Sequence, residues 1–110
     1  MAQKTVTEIT MLTKSIKKYY AKLIAVGIPV EQMILFGSHA KGSAKKWSDI
    51  DLCIVSKSFG KKPFDEMVQL SRYTKDIDDN IEPHPFHPND LLDKYDPLAA
   101  EIRTHGITII

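Results

Sequence analysis

Along the first quarter of the chain, apolar side chains recur every third or fourth position: Val6, Ile9, Leu12, Ile16, Tyr19, Tyr20, Leu23 and Ile24. That spacing lines one stripe of a helix and predicts an amphipathic helix over residues 5–26. Thr5 and Glu8 have capping-box spacing, and Gly27 is a natural stop. Lys14, Lys17, Lys18 and Lys22 fall on the more polar sides, as a solvated face or as contacts for phosphate or a partner.

The period then changes. Met33-Ile34-Leu35-Phe36 is an apolar run too short for a helix and predicts a buried strand over Gln32 to Phe36, ending abruptly at Gly37–Ser38. The small, basic stretch from His39 to Trp47 suits a turn and a short helix, and Ser48 to Ser56 a second strand. Pro63 opens another helix, with Phe64, Met67, Val68 and Leu70 as its stripe to about Thr74. After an acidic turn, Ile81 to Phe86 can be extended, but Pro83 and Pro85 lack an N–H, so this segment is an edge strand or only partly paired. Pro88 can open a short helix through Tyr95. Asp96 caps a further one, with Pro97 at its first position and Gly106 after its end, and Ile107 to Ile110 form a β-like tail. This order predicts an α/β (α+β) fold, a small mixed sheet flanked by helices, as a single domain over residues 1–110.

Composition narrows the class without naming a function. Hydrophobic residues at 43% and charged residues at 26% are the balance of an ordinary globular protein. A net charge of +1 argues against strong nucleic-acid binding through a basic surface. Cys53 is the only cysteine, which excludes an intrachain disulfide framework. No apolar run reaches the ~18 residues of a membrane span, and the N-terminus lacks the ordered regions of a signal peptide. A cytoplasmic location is the simplest expectation.

Two places break the ordinary pattern. Asp49 and Asp51 stand at the start of an expected strand, where aspartate is depleted. In a strand, positions two apart share a face, so these carboxylates would lie together while Ile50 and Leu52 face the core. Like charges so placed repel unless a cation lies between them, and hard cations such as Mg2+ take carboxylate and phosphate oxygens. Upstream, Gly37 lets the backbone turn sharply, Ser38 adds a hydroxyl, and Lys41, Lys45 and Lys46 bring positive charge, as a phosphate cradle would need. Taken singly, the first feature is equally a turn-ending aspartate with a solvated neighbour, and the second a generic turn. Together they are far more specific.

Gly37-Ser38-His39-Ala40-Lys41-Gly42, a spacer and Ser48-Asp49-Ile50-Asp51-Leu52 resemble the signature of the DNA polymerase β nucleotidyltransferase superfamily, and more narrowly its minimal nucleotidyltransferase family. The match is strongest over residues 33–55. The resemblance implies a nucleotidyltransferase fold and ATP or another nucleoside triphosphate as substrate. Gly37 and Ser38 would hold the triphosphate, with Lys41 and Lys45 nearby. Asp49 and Asp51 would ligate two Mg2+ ions, or Mn2+. A third carboxylate on a neighbouring strand would complete the metal and catalytic set. Glu82 is the choice, although the family more often has aspartate there; Asp78 and Asp79 compete from the preceding turn. A hydroxyl would attack the α-phosphate in line and pyrophosphate would leave.

Family members of this kind act beside HEPN-domain ribonuclease toxins, as antitoxins that adenylylate a toxin tyrosine. The resemblance therefore implies a HEPN toxin as partner, in a hetero-complex or beside a homodimer. The alternative is a partner-binding antitoxin module of the same fold that is weak or inactive in transfer. A DNA-repair polymerase is disfavoured by length and charge. Among the remaining polar residues, His84 shares the strand face of Glu82 and could meet phosphate or the incoming hydroxyl, although an exposed histidine between two prolines is the plainer reading. His39 could assist phosphate binding when protonated, whereas His87 and His105 read as structural. Cys53 reads as a small buried residue, and Trp47 as packed on the short helix.

Overall fold

In the computed structural model, which describes residues 6–45 and 47–110, the amphipathic N-terminal segment is helix α1, Val6–Ala25. Its stripe is real where it matters: Ile16, Tyr19 and Leu23 are fully buried. Full burial of side chains of this size stabilises by about 1.5–3 kcal/mol each. The Tyr19 hydroxyl donates to the Leu70 carbonyl at 2.7 Å, so this buried hydroxyl has a partner. The expected capping pair Thr5 and Glu8 lies outside the described residues and side chains, as does Lys46.

Four strands follow: β1 Gln32–Phe36, β2 Ile50–Val55, β3 Ile81–Phe86 and β4 Ile107–Thr108. They form one mixed sheet in the order β3-β2-β1-β4. β1 pairs antiparallel with both β2 and β4, and β2 pairs parallel with β3. Helix α2, Ser38–Lys41, and the following loop connect β1 to β2; helix α3, Pro63–Arg72, makes the crossover from β2 to β3; helix α4, Pro97–His105, precedes β4. Asp96 caps α4 by accepting from the Leu98 N–H at 3.0 Å.

Side-chain alternation divides the core between the two faces of the sheet. Met33, Leu35, Ile50, Leu52, Ile54 and Ile81 pack with the α1 stripe and Leu70 of α3. Ile34, Phe36, Cys53, Val55 and Phe86 pack with Ala99 and Ile102 of α4. Ile50 and Leu52 thus face the core, as strand alternation predicts.

β3 is an edge strand, and its prolines have a definite direction. Ile50 N–H donates to Asn80 O at 2.7 Å and Ser56 N–H to Phe86 O at 3.0 Å, so even-numbered residues of β3 carry the ladder to β2. Pro83 and Pro85 therefore turn their missing donors toward the outer edge, where no ladder bond is lost.

Three expectations need correction. The helix expected from Pro88 to Tyr95 is a single 3-10 turn, Asp90–Leu92. Aspartate side chains satisfy the backbone locally here: Asp90 accepts from His87 N–H and Asp93 from Tyr95 N–H, each at 2.9 Å, in competition with helical bonds. The β-like tail expected over Ile107 to Ile110 is a two-residue strand, Ile107–Thr108, paired with β1. Trp47 is not packed on α2: it is 74% exposed, with Lys45 Nζ 6.0 Å from its ring centre. The turn closed by Ser48 N–H to Lys45 O leaves the ring outside. Among the described residues, no helix is long and apolar enough to cross a membrane.

Candidate active site

Because β2 and β3 run parallel in register, Asp51 lies beside Glu82 and Cys53 beside His84. Period-two alternation puts Asp51, Cys53 and Val55 on the same sheet face as Glu82, His84 and Phe86. That face is apolar and buried at Cys53, Val55 and Phe86, under α4. Toward the start of both strands it becomes accessible, with Asp51 half-buried and Glu82 exposed. One continuous face therefore passes from hydrophobic core to a group of ionisable side chains.

Ligating atoms of Asp51, Glu82 and His84 all lie within 4.8 Å of one another. His84 Nε2 is 3.6 Å from Asp51 Oδ1 and 3.6 Å from Glu82 Oε1. Both separations are too long for hydrogen bonds. Nε2 is itself buried and has no hydrogen-bond partner among the described residues. The imidazole is fixed against Phe36, with ring centres 5.0 Å apart in an edge-to-face arrangement.

Asp49 stands differently. The strand starts at Ile50, two residues later than the expected Ser48, because the ladder to β3 begins with the Ile50 N–H. The i, i+2 argument therefore fixes only Asp51 on the sheet face. Asp49 is exposed on the rim and lines the same cleft as Glu82. The Glu82 carboxyl is held above its usual range, first by the protein atoms that crowd it. The carboxylates of Asp51 and Asp49 act in the same direction, Asp49 also as an acceptor for the protonated Glu82 carboxyl, and His84 opposes them. About half of the Glu82 side chain still meets solvent, which limits the shift.

On the other side of Asp51 lies the end of β1, where Phe36 is paired with Asp51. The next residue, Gly37, has φ 72° and ψ −152°, and a Cβ there would overlap Asp51 Oδ2. Glycine is thus required twice, by conformation and by space. Ser38 follows as the first residue of α2, half-buried.

The nearby cations are less free than their positions suggested. Lys41 Nζ donates to Glu101 Oε1 at 2.6 Å and ties α2 to α4. Lys45 is exposed, and its backbone N–H donates to Ser48 Oγ at 2.8 Å. His39 Nε2 lies 3.3 Å from the Ser48 carbonyl oxygen. These contacts brace the connection that places Gly37 and Asp51 side by side.

A cleft of about 350 Å³ opens next to the carboxylates, lined by Asp49, Thr74, Lys75, Asp79, Asn80 and Glu82 among others. Asp79, the competing third acid, belongs to this wall and not to the three-residue convergence. Asp78 accepts from the Asn80 N–H at 2.9 Å and shapes the turn into β3. Thr74 and Lys75 carry no motif and arrive only through the crossover helix. His84, expected from its spacing to share the strand face of Glu82, does so and also converges with Asp51.

The donor set suits a divalent cation: two carboxylates and an imidazole converge on one point, beside a backbone bend that admits no side chain.

A nucleotidyltransferase domain model matches residues 13–103. A protein of Methanocaldococcus jannaschii, provisionally named a protein adenylyltransferase, is 38% identical over 85 residues, covering 71% of this chain and 56% of its own length. The chain thus spans little more than half of that relative. A crystal structure from Sulfolobus solfataricus, provisionally described as a nucleotidyltransferase, superposes with a TM-score of 0.67 at 21% identity, over 96% of this chain and 87% of that one. A chain from a toxin–antitoxin crystal structure with AMP-PNP gives a TM-score of 0.61 at 20% identity, over 86% and 72% respectively. These two likenesses concern the fold.

Proposed function

Since the chain belongs to the nucleotidyltransferase domain family, we propose that it transfers a nucleoside monophosphate, AMP from ATP, to a hydroxyl group. The acceptor oxygen forms a bond to the α-phosphorus and loses its proton; the bond from the α-phosphorus to the bridging oxygen breaks and pyrophosphate leaves. The observation that carries this reading is the junction of two strands that sets Asp51 beside Glu82, with Asp49 on the rim and Gly37 against Asp51.

Gly37 and Ser38 would receive the triphosphate, because the absent Cβ at position 37 lets the bend at the end of β1 pack directly against the Asp51 carboxylate. Asp49, Asp51 and Glu82 would hold divalent ions, Mg2+ or Mn2+, with His84 beside them. Such ions, when bound, neutralise phosphate charge and favour the deprotonated acceptor hydroxyl. Glu82 has the further role of accepting the hydroxyl proton, from its place beside Asp51 at the mouth of the cleft. The cleft walled by Thr74, Lys75 and Asp79 gives the acceptor a route to Glu82. Lys41 contributes through α2 and its tie to Glu101, and Lys45 adds exposed positive charge.

For the acceptor, the relative named for protein adenylylation favours a protein hydroxyl, and the neighbour crystallised as a toxin–antitoxin pair with AMP-PNP favours a toxin. A tyrosine of a HEPN-domain partner is the specific proposal. The test is incubation of the purified protein with ATP labelled at the α-phosphate, a divalent ion and the product of the adjacent gene. Label on a partner tyrosine, absent with Asp51→Asn, is the expected result. A stable complex that stays unlabelled would replace transfer by partner binding alone.

A further inference from the structure

We propose that His84 is a metal ligand with Asp51 and Glu82, and that this nitrogen donor makes the position favour Mn2+ over Mg2+. The inference rests on the reading of Asp51 as a metal ligand and adds the identity of the ion.

Three observations carry it. First, His84 Nε2 lies at 3.6 Å from one oxygen of each carboxylate. Direct hydrogen bonding would bring these atoms to about 2.7–3.2 Å. Two donors each about 2.1 Å from one cation are separated by about 3.0–3.6 Å for angles between a right angle and 120°. Both histidine–carboxylate separations fall at the upper end of that range. Second, Nε2 is buried without a hydrogen-bond partner among the described residues, whereas buried polar atoms are normally satisfied. A bound cation would satisfy it together with both carboxylates. Third, the ring is held in place: it stands edge-to-face with Phe36, on an edge strand paired to β2. A ligand needs such fixed orientation.

The identity of the ion follows from donor chemistry. Mg2+ demands oxygen ligands and keeps its water, whereas imidazole favours first-row transition metals. Mn2+ stands between, accepting carboxylate and phosphate oxygens together with a nitrogen. A site of three carboxylates alone would show no such bias. Here the third converging donor is an imidazole, and Asp49 stays on the rim with Glu82.

The experiment is Mn2+ binding to the full chain, followed by electron paramagnetic resonance, with and without a non-hydrolysable ATP analogue. Electron spin echo should show modulation from a directly bonded imidazole nitrogen in the wild type. His84→Ala should abolish that modulation and weaken Mn2+ by about 10-fold or more, with Mg2+ affinity changed less than about 3-fold. His84→Asn, which keeps a polar group of moderate size, should also lose the modulation, and the wild-type spectrum stands even where a variant folds poorly. Absence of nitrogen modulation in the wild type, failure to bind Mn2+, or equal Mg2+ and Mn2+ affinities would each overturn the proposal. Nitrogen modulation without any label transfer would remove the transferase reading and leave this one; transfer without modulation would do the reverse.

Discussion

The backbone of Gly37 lies against the carboxylate of Asp51, so closely that a single added carbon would overlap Oδ2. The two residues come from the facing ends of antiparallel strands, and the register Phe36 to Asp51 makes them neighbours. On the proposed function, a phosphate seat and a metal-binding acid would thereby be built from one pairing. Gly37→Ala should damage both. The positive φ and the overlap together should destabilise the fold by about 1–3 kcal/mol. Denaturant unfolding would measure that loss, and transfer should fall even at temperatures where the variant stays folded.

Asp51→Asn separates chemistry from stability. It removes a negative charge next to Glu82, so thermal unfolding in a chelator should be unchanged or occur at higher temperature. Label transfer should drop by at least about 10²-fold. A variant that unfolds early in chelator would instead give Asp51 a structural task.

Glu82 links the site to pH. Its carboxyl is raised in the folded protein relative to an ordinary glutamate, so ionising it is harder in the native state than in the unfolded chain. The native state then holds the proton more tightly, and stability falls as pH rises from the ordinary glutamate range through the raised one. Below that window the carboxyl is protonated in both states and the effect vanishes. Glu82→Gln, measured without metal, should therefore be slightly more stable than the wild type at neutral pH and equal to it at about pH 3. The margin should be well under about 1 kcal/mol, because half the side chain is solvated. The same variant should transfer poorly at any pH.

Tyr19→Phe tests the core beneath the site. The hydroxyl bridges α1 to the Leu70 carbonyl from a fully buried position. Its loss should cost about 0.5–1.5 kcal/mol by denaturant unfolding. The carbonyl keeps a second donor, the Tyr73 N–H at 3.2 Å, which holds the effect near the lower part of that range.

Cys53 lies on the face of Asp51 but is completely buried, and its thiol is pushed up to about 12 by burial. Thiol reagents should label it only as fast as the protein opens. Rapid labelling of the native chain at neutral pH would contradict the buried position.

Much of this arrangement could be read along the chain, and the exceptions have physical reasons. The stripe of α1, the apolar run of β1 and the capped, proline-initiated α4 are local patterns whose periods declare themselves. The proximity of Glu82 to Asp51 came from the resemblance, since two residues that far apart meet only through the crossover that sets β3 parallel to β2. The strand expected from Ser48 begins at Ile50 because pairing with the Asn80 carbonyl, not composition, decides where β2 starts. Lys41 looked available for phosphate because Glu101, which binds it, is contributed by a helix near the other end of the sequence. His84 carried the right spacing, but nothing local distinguished it from an exposed histidine between prolines.

Those prolines also constrain how an acceptor can arrive. With Pro83 and Pro85 facing outward, the rim of the sheet alongside Glu82 offers too few main-chain donors to template an extra strand. An acceptor protein therefore has no β-zipper available at this border. On the proposed function, a protein acceptor would instead be recognised through its side chains and its shape.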